Sequence, residues 1–311
     1  MEHMNYDASE LAYFQNHGEI RLDANASIWL AQELTRVRAK MYEMEFPGLD
    51  ATQIFPMTNE SSPWEKAFTY GMISSIGMAK IIADYSDDIP MVGLYGAYET
   101  AQIYRIADAY QYSLDEIRAS QATGKQLPDR LASAAKRAID AKLNELAYHG
   151  DGAYNIVGVL NHPNVPKIAS AGWTTAEIAY NEIIKALDSV NTSTKGLHTA
   201  NRVVVPNSYK TLLATQLPGT GVSYRSFLVQ ENPGLQLVFS SQMEDLGGSY
   251  AGKKGVLVFE YDPANLAIEI SQPFEQMPAV WNNFHAKIAC SERSPGLVIY
   301  KPLTMALLTG V

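Results

Sequence analysis

Residues 127–161, LPDRLASAAKRAIDAKLNELAYHGDGAYNIVGVLN, are the most informative stretch of the chain. Apolar residues recur at intervals of three and four, which predicts an amphipathic helix at residues 128–148, roughly 30 Å long. Pro128 near its first turn and Gly150 just past its end are typical of helix boundaries. The short apolar segment 156–160 follows the glycine stop at once. We expect the buried face of the helix to consist of Leu131, Ala135, Ile139, Leu143 and Leu146, with Ala134 and Ala138 beside them.

The composition indicates a chain that buries a large surface. It has 311 residues, of which 18 % are charged, whereas roughly a quarter is usual in soluble domains. Tyrosine (18) and methionine (11) are abundant, and both residue types are favoured at protein interfaces. They also fill cores, so the composition leaves open whether they meet partners or pack inside the chain itself.

Charge and cysteine content exclude several classes of protein. The net charge is −9, and the densest basic group, Lys136-Arg137, is interleaved with acidic residues, so we expect any contact with DNA to be made without tight or sequence-specific binding. The one cysteine, Cys290, excludes an intrachain disulfide and suits a reducing compartment. We expect no signal peptide and no membrane span, because residues 1–30 lack an apolar core and no apolar run approaches the ~20 residues required.

Before the long helix, the sequence predicts an arm and a long two-stranded flap. A helix is expected at residues 28–44, and mixed, strand-like sequence occupies residues 64–112. Neither face of these strands is cleanly apolar, and an isolated two-stranded hairpin is marginal in water. We therefore expect the flap to find its partner surface on another molecule. The residues expected to make that contact are Trp64, Lys80, Asp84, Tyr85, Asp87, Asp88, Tyr98 and Arg105.

The remaining sequence predicts an α+β arrangement. Helices are expected at residues 114–119, 176–190 and 209–216. Strands are expected at residues 202–205, 235–239, 256–261, 266–271 and 297–300, with one long strand at residues 280–290 whose buried face includes Phe284 and Cys290.

No motif in the chain points convincingly to enzymatic chemistry. The segment from Gly247 to Lys254 matches a phosphate-binding loop except at its last position, but a predicted strand follows where that loop needs a helix. The histidines lack metal-ligand spacing, and Cys290 falls on an apolar strand face, which favours a core thiol over a nucleophile. We therefore predict no enzyme activity, no cofactor and no metal, with a soluble enzyme of unknown activity as the alternative from another class.

The order of arm, flap, long helix and the segment Gly150-Asp151-Gly152 … Gly158-Val159-Leu160-Asn161 resembles the major capsid proteins of tailed bacteriophages, the HK97-like fold family. The resemblance implies an N-terminal arm and helix (1–50), an extended β-hairpin loop with flanking strands (51–112), a spine helix and peripheral domain (113–170), an axial domain (171–277), and returning peripheral strands (278–311).

The same resemblance implies a structural role in the virion capsid. Pentamers and hexamers of the chain would close into an icosahedral shell around double-stranded DNA, assembled in the bacterial host cytoplasm. Portal, scaffold and decoration proteins are the expected partners besides other copies of the chain. Some members cross-link a flap lysine to a neighbouring asparagine, and we expect that Lys80 does not. Encapsulins, which share this fold and build cellular cages, are the alternative within the family.

Overall fold

The computed structural model describes residues 48–76, 93–123 and 127–311. The predicted helix at residues 28–44 and the flap residues Lys80, Asp84, Tyr85, Asp87 and Asp88 lie outside the described residues. The helices are α1 (Ala51–Ile54), α2 (Leu114–Thr123), α3 (Leu127–Tyr148), α4 (Ala176–Ser193), α5 (Lys210–Leu213) and α6 (Tyr224–Glu231). The strands are β1 (Met57–Thr58), β2 (Ala67–Ile76), β3 (Gly93–Gln102), β4 (Tyr104–Ser113), β5 (Gly150–Asp151), β6 (Ile156–Val157), β7 (Lys167–Ala169), β8 (Arg202–Pro206), β9 (Gln236–Ser240), β10 (Gly255–Phe259), β11 (Leu266–Glu269), β12 (Gln272–Gln276), β13 (Val280–Asn282), β14 (His285–Ser294), β15 (Gly296–Ile299) and β16 (Met305–Thr309).

Helix α3, which we call the spine helix, occupies the position that the sequence predicted. Four residues of its expected face, Ala135, Ile139, Leu143 and Leu146, are 1–3 % exposed, and Leu131 is half-buried. The expectation was wrong for Ala134 and Ala138, which are exposed. Among the described residues, the first half of the helix docks on one sheet, which covers a narrow stripe, whereas the second half packs in the larger core between the two sheets.

The glycine segment folds back to cap the end of the spine helix. The backbone N–H groups of Val159 and Leu160 donate to the carbonyls of Ala147 and Tyr148, both over 3.0 Å. The Asn161 side chain donates to the next carbonyl, that of His149, over 2.8 Å. These bonds satisfy carbonyls that a helix end leaves without an intrahelical partner.

Glycine is required where the capping strands cross. A Cβ on Gly158 would lie 2.4 Å from the Gly150 nitrogen and from the Tyr148 carbonyl oxygen. Gly150 has a φ of 71°, a left-handed conformation that disfavours other residues. The two glycines therefore allow the backbones of β5 and β6 to approach each other until they are in van der Waals contact.

A five-stranded sheet, in the order β7-β16-β10-β8-β9, separates two cores. Alternate residues face opposite sides: Val203, Val256 and Leu308 pack with helix α4, while Val204, Leu257 and Leu307 pack with the end of the spine helix. Such alternation is the period of two that strands impose. Because both faces are covered, all five residues of β16 are buried.

Helix α4 covers one side of this sheet through residues spaced at helical intervals. Ala179, Ile183, Ala186 and Val190 are at most 1 % exposed. Thr175 caps its start, accepting a hydrogen bond from the Ile178 N–H over 3.3 Å. The core at the end of the spine helix is bounded by a second sheet, in which β1, β11 and β15 form three strands.

The spine helix also packs on a sheet centred on β14. Along one edge β14 pairs with all of β4, and along the other with β12 and β13. The predicted flap was therefore too long, since the stretch from Tyr104 belongs to this sheet. The chain changes sheets at Ile103, which is 6 % exposed and donates its N–H to the Lys66 carbonyl over 2.8 Å.

Two further expectations were wrong in the C-terminal half. The single strand predicted at residues 280–290 is a hairpin of β13 and β14, because Asn283 adopts a left-handed φ of 55° and turns the chain. Phe284 is consequently 77 % exposed instead of buried. The helix predicted at residues 209–216 is the single turn α5 preceded by a 3₁₀ turn. Helix α2 extends four residues beyond the predicted 114–119.

Candidate subunit interface

The candidate interface is a two-stranded hairpin that leaves the rest of the subunit. Strands β2 and β3 form ten antiparallel pairs, from Ala67 with Gln102 to Ile76 with Gly93, and join no other sheet among the described strands. The side chains of Thr69, Tyr98 and Thr100 are exposed on it. A two-stranded hairpin is only marginally stable by itself, so these exposed side chains leave the ribbon in need of a further packing surface.

Cross-strand contacts give the hairpin its local order. The hydroxyls of Thr69 and Thr100 lie 3.1 Å apart, and the Tyr70 hydroxyl donates to the Glu99 carboxylate over 2.8 Å. The Tyr98 ring lies over Gly71, whose added Cβ would meet that ring at 3.0 Å. Tyr98 is nonetheless 76 % exposed. The described part of the ribbon thus presents an exposed aromatic ring to whatever covers it.

The base of the hairpin is tied to the subunit by aromatic packing. The rings of Tyr70 and Tyr300 meet edge to face, with centroids 5.0 Å apart. Burial raises the pKa of Tyr70, and its hydrogen bond to Glu99 and the charge of that carboxylate add to the effect. Burial also raises the pKa of Tyr300 to about 12. Both phenols are therefore neutral at physiological pH.

A buried carboxylate fixes the segment that leads into the hairpin. Glu269 is 2 % exposed and accepts from the backbone N–H groups of Glu60 and Ser61, both over 2.7 Å. The hydroxyls of Thr58 and Ser61 also donate to it. Burial would raise the pKa of Glu269, but these hydrogen bonds outweigh it and hold the pKa below its usual value.

An arginine fixes the same segment from the β14 sheet. The Arg293 guanidinium donates to the carbonyl oxygens of Pro63 and Glu65, the latter over 2.6 Å. Glu269 and Arg293 together fix residues 58–65, which we call the root of the hairpin, so the exposed ribbon begins at a defined position.

The expected contact residues do not all lie on the ribbon. Trp64 is 78 % exposed in the hairpin root, and Tyr98 lies on β3. Arg105 is exposed on β4, in register with Arg293, and so belongs to the neighbouring sheet. The structure thus brings Trp64 and Tyr98 to the hairpin and assigns Arg105 elsewhere.

A second exposed aromatic surface was missed by the sequence reasoning. At the β13–β14 turn, Val280, Trp281 and Phe284 are 52–77 % exposed. The Trp281 ring contacts Tyr112, with centroids 6.4 Å apart. The signal that was available is the pair Asn282-Asn283, which favours a turn and would have moved Phe284 to its tip.

The loop and the cysteine that were considered as possible binding or catalytic sites lie in surroundings that favour a structural role. The Gly247–Lys254 loop contains a 3₁₀ turn and leads into strand β10, which lacks the helix N-terminus that binds phosphate. Cys290 is fully buried, and burial raises the pKa of its thiol. Within the described ranges, no group of three metal-ligating side chains converges and no helix is long and apolar enough to cross a membrane.

Comparison with known proteins decides the family. The family model described as major capsid protein matches residues 77–311, about three quarters of the chain. The chain belongs to the major capsid protein family. No curated protein matches it.

Solved capsids share the fold of this capsid protein. The capsid of Myoviridae phage XM1 is 18 % identical, with a TM-score of 0.80 over 94 % of this chain and all of that one. The capsid of the native GTA particle is 12 % identical, with a TM-score of 0.64 over 93 % and 99 % of the two chains. The virus-like particle from Pyrococcus furiosus is 15 % identical, with a TM-score of 0.55 over 82 % and 90 %. The predicted α+β, HK97-like capsid fold is confirmed, and the capsid protein has a structural role in a shell built from many copies.

Proposed function

We propose that this capsid protein forms pentamers and hexamers that close into an icosahedral shell around the double-stranded DNA of a tailed phage. The observation that carries the proposal is the β2–β3 hairpin, a ribbon with a rigid root and exposed aromatic side chains. A ribbon of this kind gains a core only by lying on another copy, and permanent interfaces commonly bury more than ~2,000 Å². The hairpin contact residues Trp64 and Tyr98 would be covered there.

The rest of the proposed role is structural. The net charge of −9 lets DNA pack against the inner wall without adhering to it, because phosphate binding needs a basic surface. No enzymatic activity is proposed. Assembly would take place in the host cytoplasm with portal, scaffold and decoration proteins. The division into arm (1–50), extended loop (51–112), peripheral domain (113–170 and 278–311) and axial domain (171–277) is proposed with it.

The test removes the outer part of the hairpin and leaves its root, with the pairs from Ala67–Gln102 to Met72–Ala97 in place. Replacing residues 73–95 by Asn-Gly keeps Met72 paired with Ala97 across a three-residue loop, a length that hairpins commonly use. We expect a subunit with unchanged circular dichroism and unchanged thermal unfolding, because the root contacts at Tyr300, Glu269 and Arg293 remain. Negative-stain microscopy should show that it builds no stable shells, whereas normal particles would contradict the role assigned to the hairpin.

A second measurement locates the contact on the unaltered ribbon. Cys290 is the only cysteine and is buried, so Tyr98→Cys introduces a single accessible thiol. We expect this thiol to react with maleimide in dissociated subunits and to be protected in particles. Equal reaction rates in both states would refute a covered hairpin. The contents of particles from the natural host separate a phage capsid, which holds double-stranded DNA, from an encapsulin-type cage, which holds protein cargo.

A further inference from the structure

Glu292 is a buried carboxyl group between the spine helix and strand β14. It is 4 % exposed, and its Oε1 atom has no hydrogen-bond partner. It lies two residues from Cys290, on the strand face that packs against Ala135 and Ile139 of the spine helix. Ionising a buried carboxyl without a partner for each oxygen is costly, so this position needs a compensating charge or a proton.

The charges around Glu292 do not compensate it fully. Burial raises the pKa of Glu292, the charge of Asp140 on the spine helix raises it further, and Lys136 opposes both. Burial raises the pKa of Asp140 as well, again opposed by Lys136. One lysine therefore serves two carboxyl groups, which leaves one negative charge in excess when both are ionised.

Among the described residues, Lys136 is the cation whose charge acts on Glu292. The Arg293 guanidinium is engaged by the carbonyls of Pro63 and Glu65. Strand β4 contributes Asp108, another acid, and β12 contributes the uncharged Phe274. On the helix, Arg137 is exposed, and the cation that acts on both Glu292 and Asp140 is Lys136.

We propose that Glu292 and Asp140 form a proton-binding site that couples the docking of the spine helix on the β14 sheet to pH. The site holds one proton, on the Glu292 carboxyl, and Asp140 stays ionised against Lys136. Binding the proton makes the group of three neutral and removes the buried charge. Losing it as pH rises places two carboxylates across the helix–sheet contact, which weakens that contact.

The sign of the pH dependence follows from the linkage. In the unfolded chain Glu292 ionises near pH 4.3, whereas in the folded chain it keeps its proton to higher pH. The folded state then binds more protons between these two values, so stability falls as pH rises through this window and stays lower above it. Each unit of pKa difference corresponds to a tenfold change in the proton-binding constant.

The test titrates the full-length protein by infrared spectroscopy, which detects the carbonyl band of a protonated carboxyl group in free subunits and particles alike. We expect such a band to persist above about pH 5, where exposed glutamates have ionised. Glu292→Gln should remove it, while Glu231→Gln, a matched change at an exposed glutamate, should leave it. Asp140→Asn should keep the band and move its midpoint to lower pH, because the Asp140 charge raises the pKa of Glu292.

The same variants are compared by thermal unfolding from pH 4 to pH 8. Relative to Glu292→Gln, the unaltered protein should lose stability as pH rises through the window, and Glu231→Gln should behave like the unaltered protein. If Glu292→Gln leaves the infrared band in place, or if Asp140→Asn leaves its midpoint unmoved, Glu292 and Asp140 do not share a proton-binding site.

Discussion

Substituting Gly158 by alanine should unfold the junction between the spine helix and the glycine segment. The added Cβ would lie 2.4 Å from two backbone atoms and 2.5 Å from a third, the His149 carbonyl carbon. None of these belongs to a flexible side chain that can rotate away. The backbones must therefore separate by about 1 Å to restore ordinary van der Waals contact.

The free-energy cost of that movement follows from the hydrogen bonds that it breaks. The bonds from Val159 and Leu160 to the helix carbonyls, now 3.0 Å, would stretch to about 4 Å, beyond hydrogen-bond range. All four residues involved are at most 1 % exposed, so water cannot replace the lost partners. At about 1–3 kcal/mol for each of the two buried N–H groups left without an acceptor, we expect a loss of at least about 2–6 kcal/mol, a large share of the ~5–15 kcal/mol typical of folded domains.

The assay is urea unfolding of the unassembled subunit, followed by tryptophan fluorescence. Gly152→Ala is the matched control in the same segment, because its Cβ would meet nothing within 4 Å. We expect Gly152→Ala to unfold at the same urea concentration as the unaltered protein or slightly above it, since alanine restricts the unfolded chain. Equal midpoints for Gly158→Ala and Gly152→Ala would refute the steric argument.

Two further variants test the cores and the hairpin root. Leu143 is 2 % exposed, so Leu143→Asp should cost several kcal/mol and prevent folding. The control Ala138→Asp, on the exposed side of the same helix, should remain soluble and folded. Native-like circular dichroism of Leu143→Asp would contradict the observed buried face of the helix. Glu269→Gln should destabilise the subunit by about 1–3 kcal/mol at pH 7. Because the pKa of Glu269 is lowered in the folded state, the stability that its charge contributes is complete above the unfolded value, ~4.3, and is lost as pH falls through the folded pKa. The difference between the urea midpoints of the unaltered protein and Glu269→Gln should therefore narrow in acid. A difference that stays constant would contradict this role of Glu269.

The sequence predicted best where one local pattern decides the structure. The spine helix and α4 have apolar residues at helical spacing, with Pro128, Gly150 and the Thr175 cap at their ends, and both lie close to their predicted bounds. Alternation failed where two strands follow one another directly. The alternation of residue types continues unbroken from β3 through Ile103 into β4, so the sequence pattern does not indicate that the chain changes sheets there.

Elements without a strong pattern of their own were missed. Strand β16 is five buried residues after a short turn, and its place between β10 and β7 is set by pairing partners far away in sequence. The hairpin as a candidate contact was predicted from its lack of a clean apolar face. The exposed Phe284 was not, because the Asn282-Asn283 turn was read as part of a strand.

A reconstruction of the assembled particles by electron cryomicroscopy would show where each hairpin lies. We expect closed shells in which strands β2 and β3 of each subunit lie on another copy, with Trp64 and Tyr98 covered by that copy. A hairpin that contacts only its own chain, or a purified protein that forms a small discrete oligomer instead of shells, would contradict it.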